Sequence, residues 1–453
     1  MQKHKRILGT LSSKRDKKAF INAWVFIFGY NHSFSFEKDY LMTLVMILCV
    51  YTLVFVGISA VQLAFLQRQK AQKAVILDEK TYKEAANIAI TNEKFSIFSR
   101  VYTLVLYALW VFFGFAWLGK FIISTNSTLD NTLFLLAFLV VNMLLTLPLS
   151  VYEDFVKNKK QGFSTMSAGL FVKDTLKSLI LLAIFGFLLI YALIFCYEFL
   201  GQFWWLAAFG VAFAAILIAN VLYPTLIAPM FNKMQKLDDK ALQDEISALM
   251  NKCGFSSKGV FVMDASKRDK RLNAYFGGLF KSKRVVLFDT LLKAMSARQL
   301  LAVLGHELGH FVHKDLLKGL LNGALMIFLL FFVFAHLSEI SNFLGLPDFY
   351  EQANLVFAGE NGANEPLKSG VFVLLLLLGE VFSFVFAPFI NAMSRKHEFA
   401  ADKHGAQMTS SSDMREALLV LAKENKAFVK SSKLYELFHL SHPSIDERLK
   451  ALA

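Results

Sequence analysis

Long apolar stretches separated by polar segments dominate the hydrophobic pattern of the chain. Seven of them approach or exceed the roughly 20 residues that a helix needs to cross a bilayer. They run over residues 41–66, 101–119, 132–150, 176–200, 203–227, 319–337 and 371–390. The pattern therefore predicts a polytopic α-helical membrane protein with about seven transmembrane helices. Residues 1–40 precede these stretches as a basic arm, and its single apolar patch is too short to span a membrane.

Basic residues alternate between the connecting loops, being frequent after the first, third, fifth and seventh stretches. The other loops contain few of them, namely Lys120 after the second stretch and Lys368 after the sixth. Because cytoplasmic loops are enriched in Lys and Arg, this alternation predicts a cytoplasmic C-terminus. The basic N-terminal arm would then lie outside, against the same rule, and Met42 is an alternative start.

Two polar regions, 231–318 and 393–453, interrupt or follow the spans. The first has α+β character: residues 239–252 predict an amphipathic helix, and strands are predicted at 259–264, 271–279 and 284–289. The predicted divisions are the arm 1–40, spans one to five in 41–230, an α+β catalytic region 231–318, spans six and seven in 319–392, and a C-terminal catalytic region 393–453.

One predicted helix, 296–315, carries the metal-binding pattern His306-Glu-Leu-Gly-His310 behind an S-x-x-Q capping box. Residues i and i+4 lie on one helix face, so both imidazoles can reach one metal ion. The intervening Glu307 can reach a water on that metal without binding the metal itself. Zinc suits this set, because neutral imidazole binds it well and catalytic zinc keeps one position open. Since five-residue patterns also occur by chance, a third ligand is needed.

That ligand has to lie further along the chain, because position 316, where metzincins carry a third histidine, is leucine. His313 is better explained as a polar residue at the helix end. Beyond the seventh apolar stretch, four polar residues share one helix face: Asn391, Arg395, Glu398 and Asp402. Charge stripes are usually solvated, but this one begins at a membrane exit and has small alanines beside it. Glu398 is thus the predicted third ligand, and Asp402 is expected to hold a ligating imidazole.

Composition supports a membrane enzyme and excludes other classes. The 453 residues are 56% hydrophobic and include 47 Phe, which is too apolar for a soluble enzyme. The net charge of +13 falls between the spans and forms no basic stripe interleaved with aromatic residues, so no nucleic-acid partner is expected. Three scattered cysteines imply neither a disulfide framework nor a Cys-metal motif.

Several motifs together resemble the integral-membrane CAAX prenyl proteases, which are seven-span zinc metalloproteases of the gluzincin type. The matching segments are Pro148-Leu-Ser-Val-Tyr152, Tyr223-Pro-Thr-Leu-Ile-Ala-Pro-Met-Phe-Asn232, Asn273-Ala-Tyr-Phe, Val286-Leu-Phe-Asp-Thr-Leu-Leu292, the H-E-x-x-H motif, Ser394-Arg-Lys-His-Glu-Phe-Ala-Ala-Asp402 and Ser441-His-Pro443. The resemblance implies transmembrane helices that enclose a chamber beside a small zinc protease region. It also implies one Zn²⁺ per chain, bound by His306, His310 and Glu398, with Glu307 as general base and then acid.

Other roles rest on the same resemblance. Asn273 and Ala274 would lie on an edge strand that pairs with the substrate backbone. His442 would stabilise the oxyanion of the tetrahedral intermediate, although its position alone fits a surface loop equally well. Asn391, Arg395 and Asp402 are assigned to substrate binding or to support of the ligands. Glu380, in the middle of the seventh span, is expected to face the chamber or another helix.

The predicted function is that of a membrane-embedded zinc endopeptidase, and the resemblance implies removal of the last three residues of prenylated Cys-a-a-X proteins. The expected partners are a peptide or protein substrate, prenylated or membrane-associated, and membrane lipid. One alternative is a bacterial quality-control protease for membrane proteins. Another is a transporter or channel with a vestigial metal site, which the presence of all three ligands and the base disfavours. The C-terminus carries no dilysine or KDEL signal, which favours a bacterial inner membrane over the endoplasmic reticulum.

Overall fold

The computed structural model describes residues 37–255, 259–277, 284–343 and 367–453. Seven helices in these ranges are long and apolar enough to cross a membrane, and we number them spans 1 to 7: Leu41–Lys70, Glu79–Ile122, Thr128–Lys160, Ala168–Phe199, Gly201–Phe231, Asp315–Ala335 and Gly370–Met408. The predicted seven-span architecture is confirmed, and the protein is a multi-pass α-helical membrane protein. The predicted arm, 1–40, lies almost wholly outside the described residues.

The spans extend well beyond their apolar segments. Span 2, for example, begins at Glu79, where the Asp78 side chain accepts a hydrogen bond from the Thr81 N–H (3.0 Å). Spans 2 to 5 each contain one π-helical turn, at Trp110–Gly114, Glu153–Lys157, Leu182–Gly186 and Tyr223–Ile227. Span 7 continues to Met408 as a single helix, so the boundary predicted between 392 and 393 falls inside it.

The first polar region contains a four-stranded sheet with the order β1-β2-β4-β3. Its strands are β1 Met234–Lys236, β2 Val260–Met263, β3 Ala274–Gly277 and β4 Arg284–Phe288. β2 and β4 are parallel, with Val260 opposite Val285, while β1 and β3 flank them in antiparallel pairs. The three predicted strands are present, although the strand predicted at 271–279 is shorter and begins at Ala274. β1 was not predicted, because three residues are too few to show an alternating pattern.

Outside the spans, the described residues form seven shorter α-helices: α1 Lys240–Lys252, α2 Asp289–Ala294, α3 Ala297–Val312, α4 Leu337–Phe343, α5 Ser411–Glu424, α6 Lys433–His439 and α7 Ile445–Ala451. The prediction of one helix over 296–315 was wrong at its C-terminal end. Lys314 has a φ of 57°, in the left-handed region, and this residue separates α3 from span 6. His313 caps α3, as expected for a residue at the helix end.

Two apolar cores hold these parts together. One lies among the spans and is rich in aromatic residues, including the fully buried Phe115 and Phe134. The other lies between the sheet and the surrounding helices, where Leu287 and Leu304 are fully buried. α3 belongs to the second core and also packs along span 7, so it connects the sheet to the membrane region.

Polar groups among the spans are paired across helices. Glu380 of span 7 forms an ion pair with Arg100 of span 2, in agreement with the expectation that it faces a chamber or another helix. The Arg100 guanidinium also lies over the rings of Tyr51 and Phe55, 4.9 and 4.6 Å from their centroids. Two cavities of about 340 and 520 Å³ both contact Arg100 and Glu380, so this ion pair borders open space beside the spans.

Candidate active site

α3 begins at a fixed point and presents two histidines on one face. The Ser296 hydroxyl accepts a hydrogen bond from the Gln299 N–H (3.4 Å), and the Gln299 side chain accepts one from the Ser296 N–H (3.0 Å). This is the predicted capping box. His306 and His310 follow, with ring centroids 4.9 Å apart. The buried Leu308, on another face, belongs to the core beneath the sheet.

Glycines allow α3 and span 7 to approach closely. A Cβ at Gly309, the variable position within the H-E-x-x-H pattern, would lie 3.0 Å from the Ala401 Cα. One turn earlier, a Cβ at Gly305 would lie 3.1 Å from the Gly405 Cα. Contacts of 3.0–3.1 Å are tighter than nine in ten real Cβ contacts, so a side chain at either position would push the two backbones apart.

This packing brings a third donor to the two histidines. The Glu398 carboxylate lies with one oxygen 3.6 Å from His306 Nε2 and the other 3.4 Å from His310 Nε2. One donor atom from each of the three residues lies within 4.8 Å of the others, so together they could hold a metal ion. The predicted ligand set, drawn from two distant segments, is thus brought together at one point.

A carboxylate lies at the other nitrogen of each imidazole. Asp402 Oδ1 is 2.7 Å from His306 Nδ1, the contact expected from the sequence. Asp315 Oδ2 is 3.0 Å from His310 Nδ1. A hydrogen bond at Nδ1 fixes the tautomer and leaves Nε2 available as a metal ligand. Burial lowers the pKa of His310, but hydrogen bonds with Glu398 and Asp315 outweigh it and raise this pKa to about 9, so the site stabilises positive charge.

Arg448 of α7 supports the same carboxylate. Its Nε and Nη2 donate hydrogen bonds to the two oxygens of Asp402, at 2.8 and 2.6 Å. The side chain of Asp402 is only 1% exposed and that of Arg448 is 12% exposed, so solvent has little access to the pair. No sequence pattern indicates Arg448 or Asp315, because Arg448 reaches the site through tertiary packing and Asp315 reaches His310, five positions earlier, through the left-handed turn at Lys314.

A cavity of about 120 Å³ connects the histidines with the sheet and the C-terminal helices. Its lining includes Asn273, Ala274, His306, Glu307, Glu398, His442 and Arg448. Burial raises the pKa of the Glu307 carboxyl, and the neighbouring His306 and His310 partly oppose this effect. A carboxylate with a raised pKa accepts a proton more readily, as a general base must.

β3 forms an edge of the sheet beside this cavity. The Asn273 carbonyl accepts a hydrogen bond from the Phe288 N–H (3.1 Å), so residue 273 belongs to a hydrogen-bonded pair with β4. In an antiparallel ladder the next residue then points its backbone groups away from the partner strand. The N–H of Ala274 accordingly lies 2.8 Å from the Asn273 side-chain oxygen and does not bond β4. Within the described residues β3 pairs only with β4, so its outer side remains available.

The loop that follows α6 brings His442 to the same point. Its Nδ1 lies 2.9 Å from Glu398 Oε2, while 66% of the side chain is exposed. Asn391 and Arg395, the other predicted residues on span 7, have no described hydrogen bond with His306, His310 or Glu398. They bind carbonyl groups of α6 and of Leu440 instead.

Comparison with known proteins covers both halves of the chain. Residues 62–233 match the CAAX prenyl protease N-terminal domain of five membrane helices, and residues 236–453 match peptidase family M48. The chain is 32% identical over 397 residues to CAAX prenyl protease 1 of Saccharomyces cerevisiae, covering 83% of this chain and 86% of that protein. The chain belongs to peptidase family M48. It is also 28% identical over 435 residues to the human CAAX prenyl protease 1 homolog, covering 83% and 87%.

Among solved structures, the crystal structure of S. mikatae Ste24p superposes on this M48 protein with a TM-score of 0.80 at 28% identity. The alignment covers 91% of this chain and 99% of that one. The protein is therefore a membrane metalloprotease, and neither the bacterial quality-control reading nor the transporter or channel reading is favoured. The relatives named here come from yeasts and human, so they give no support to a bacterial inner membrane.

In this M48 peptidase a second cavity, of about 500 Å³, runs from His310 into the membrane region between spans 6 and 7. His310 and Asp315 line one end, and Met326 and Ile327 of span 6 line it further along. Met393 of span 7 contributes from the other side. His310 thus borders the space between the spans, while His306 borders the cavity beside β3.

Proposed function

We propose that this M48 protein is a zinc endopeptidase that holds one Zn²⁺ per chain through His306, His310 and Glu398. The donor set supports zinc, because two neutral imidazoles and one carboxylate are a common catalytic zinc set that leaves a position for water. The carboxylates at the Nδ1 atoms support it further, since they leave each Nε2 available toward Glu398. The convergence of these three donors is the observation that carries the proposal.

Glu307 is the proposed proton carrier. When bound, zinc would lower the pKa of a water molecule and polarise the scissile carbonyl. The Glu307 carboxylate takes a proton from the attacking water and later delivers it to the leaving amine. Its raised pKa suits both steps, because the group has to accept a proton and then release it.

Two further parts of the site are assigned to binding the substrate backbone and to stabilising the oxyanion. The outward backbone groups of Ala274 pair with an extended peptide, which aligns the scissile bond irrespective of side chains. The His442 imidazole donates a hydrogen bond to the developing oxyanion, acting mainly in the transition state. Its 2.9 Å distance to the Glu398 carboxylate supports this placement next to the metal ligands.

The proposed substrates are prenylated Cys-a-a-X proteins, which lose their last three residues. The support is the name of the relatives, CAAX prenyl protease 1, together with similarity over both the membrane and the peptidase regions. The cavity that leads from His310 between spans 6 and 7 gives a membrane-anchored substrate a path to the site. Membrane lipid is the remaining expected partner.

The test uses purified full-length protein in detergent and a farnesylated peptide ending in Cys-a-a-X. Mass spectrometry should detect release of the intact tripeptide, and the same peptide without the farnesyl group is the matched control. A zinc chelator should stop the reaction, and added Zn²⁺ should restore it. Equal cleavage of both peptides would contradict the substrate class, whereas cleavage that survives complete metal removal would contradict the zinc mechanism.

His442→Ala tests the oxyanion assignment. We expect kcat to fall by about a hundredfold or more, KM to change little and zinc content to stay the same, since losing one oxyanion donor costs roughly 3 kcal/mol. Steady-state kinetics and metal analysis measure all three quantities. An unchanged kcat would show that His442 is a surface residue without a catalytic role. Loss of zinc would show that it is a metal ligand.

A further inference from the structure

Arg395 binds the end of the helix that precedes His442. Its Nη1 donates hydrogen bonds to two carbonyl groups, those of Glu436 and Leu440, both at 2.7 Å. Glu436 lies in the last turns of α6, and Leu440 is its C-terminal cap. The last carbonyls of a helix have no partner within the helix, and a positive charge there is favourable. The Glu436 carbonyl also accepts the Leu440 N–H (3.3 Å), so Arg395 adds a second donor there and supplies a donor from outside α6 to the Leu440 carbonyl.

α6 depends on such external contacts because it is short. It has seven residues, fewer than an isolated helix needs for stability. Its N-cap, Ser432, makes no side-chain capping bond, and the Ser432 N–H instead donates to the Gln62 side chain of span 1 (3.0 Å). Asn391 adds a longer bond of 3.3 Å to the Leu437 carbonyl. Spans 1 and 7 thus fix where α6 begins and ends.

Only three residues separate Leu440 from the next fixed point. Ser444 starts α7 with a capping box, in which its hydroxyl and the Glu447 side chain bond each other's backbone N–H groups. Between them, the buried Pro443 restricts His442 to extended conformations. The loop is therefore held at both ends, and the Arg395 bonds fix the end nearer to α6.

The same helix carries Arg395 and the proposed metal ligand. Arg395 precedes Glu398 by three positions, so both side chains leave one face of span 7. We propose that Arg395 is a positioning residue, which sets the distance between His442 and the metal site by holding the end of α6. This inference rests on the proposed role of His442. It adds the residue that makes the role possible.

A double-mutant cycle distinguishes positioning from general stabilisation. The full-length protein is compared with Arg395→Ala, His442→Ala and the double variant, by steady-state kinetics, zinc content and thermal unfolding. Misplacing a catalytic group by about 1 Å can cost about a hundredfold, so we expect Arg395→Ala to lower kcat by roughly ten- to a hundredfold, with little change in KM or zinc content. In the His442→Ala background the same change should have almost no further effect, because its target is already gone.

Arg268→Ala is the matched control. This arginine also binds a main-chain carbonyl, that of Phe231 at 2.6 Å, but it shares no hydrogen-bond partner with His442. Any effect of Arg268→Ala on kcat should therefore be the same in both backgrounds. If Arg395→Ala does not fold, Arg395→Lys takes its place in the cycle, since lysine keeps the charge but presents a different donor geometry.

Each outcome decides the question. An Arg395 effect that multiplies with that of His442→Ala, or that appears as zinc loss, would overturn the positioning role. An unchanged kcat with a lowered unfolding temperature would leave Arg395 purely structural. If His442→Ala alone has no effect on kcat, the oxyanion assignment fails and the positioning role of Arg395 fails with it, whereas a lowered kcat in His442→Ala with an unchanged kcat in Arg395→Ala overturns the positioning role alone.

Discussion

Asp402 connects the metal site to the C-terminal helix, and Asp402→Asn tests how much this connection contributes. The carboxylate lies 2.7 Å from His306 Nδ1 and accepts two hydrogen bonds from Arg448, at 2.8 and 2.6 Å. Asparagine has nearly the same shape but carries no charge and only one acceptor oxygen. Its amide nitrogen would have to face a donor, either the imidazole or the guanidinium.

Asp402→Asn is expected to lower both zinc affinity and folding stability, by different amounts. Loss of the group that orients a zinc-bound histidine typically lowers metal affinity about 10- to 100-fold, or about 1.4–2.7 kcal/mol. Removing one partner of a buried ion pair typically costs about 3–5 kcal/mol of folding stability. Arg448 keeps a second carboxylate nearby, Glu398 at 3.8 Å, so we expect the loss of stability to be near the lower value, about 3 kcal/mol.

Competition with a chromogenic chelator measures zinc affinity in detergent, and thermal unfolding of the metal-free protein measures the second effect separately. Asp446→Asn is the matched control, because Asp446 pairs at the surface with the exposed Lys450. Wild-type zinc affinity in Asp402→Asn would show that the carboxylate does not orient His306. An unchanged unfolding temperature would show that the pair with Arg448 contributes nothing to stability.

Three further predictions concern the base, the helix contact and the topology. Glu307→Gln should retain zinc but lower cleavage by about 10²–10⁴-fold, because the amide cannot accept a proton; near-wild-type turnover in a peptide assay would exclude Glu307 as the base. Gly309→Ala places a Cβ 3.0 Å from the Ala401 Cα, so it should cost about 1–3 kcal/mol and reduce zinc content by separating the two helices. Gly210→Ala, with nothing within 4 Å, should match the wild type in the same metal analysis and unfolding experiments. Reporter fusions at Gly201 and at the C-terminus should lie on opposite sides of the membrane, and finding both on one side would contradict the predicted topology.

Patterns local in sequence predicted much of the fold. The spans follow from apolar length, and the start of α3 follows from Ser296 and Gln299, whose bonds are made within one turn. The stripe from Asn391 to Asp402 could be read because helical spacing alone fixes which residues share a face. The end of α3 could not be predicted. It depends on the left-handed φ of Lys314, and a lysine does not indicate such a φ as a glycine would.

Other contacts between distant segments could not be predicted from the sequence. Arg448 meets Asp402 across 46 positions, and nothing in the sequence around Arg448 distinguishes it from the solvated basic residues of the same tail. Gly309 occupies one of the two variable positions of H-E-x-x-H, yet its lack of a side chain permits the approach of span 7. Such contacts depend on how helices pack, and one sequence contains no periodic signal for that packing.

The length of span 7 sets the distance of the proposed metal ligand Glu398 from the membrane. Span 7 is one helix from Gly370, and Glu398 lies 28 positions later, which at 1.5 Å per residue is about 42 Å along the axis. The apolar segment of that helix ends at residue 390, so Glu398 lies about 12 Å beyond the segment along the axis, at a fixed depth outside the apolar part of the span. A peptide bond reaches that depth readily only if it lies a few residues from whatever anchors its protein in the membrane. The number of residues between the membrane anchor and the scissile bond would thus select substrates before side-chain identity does.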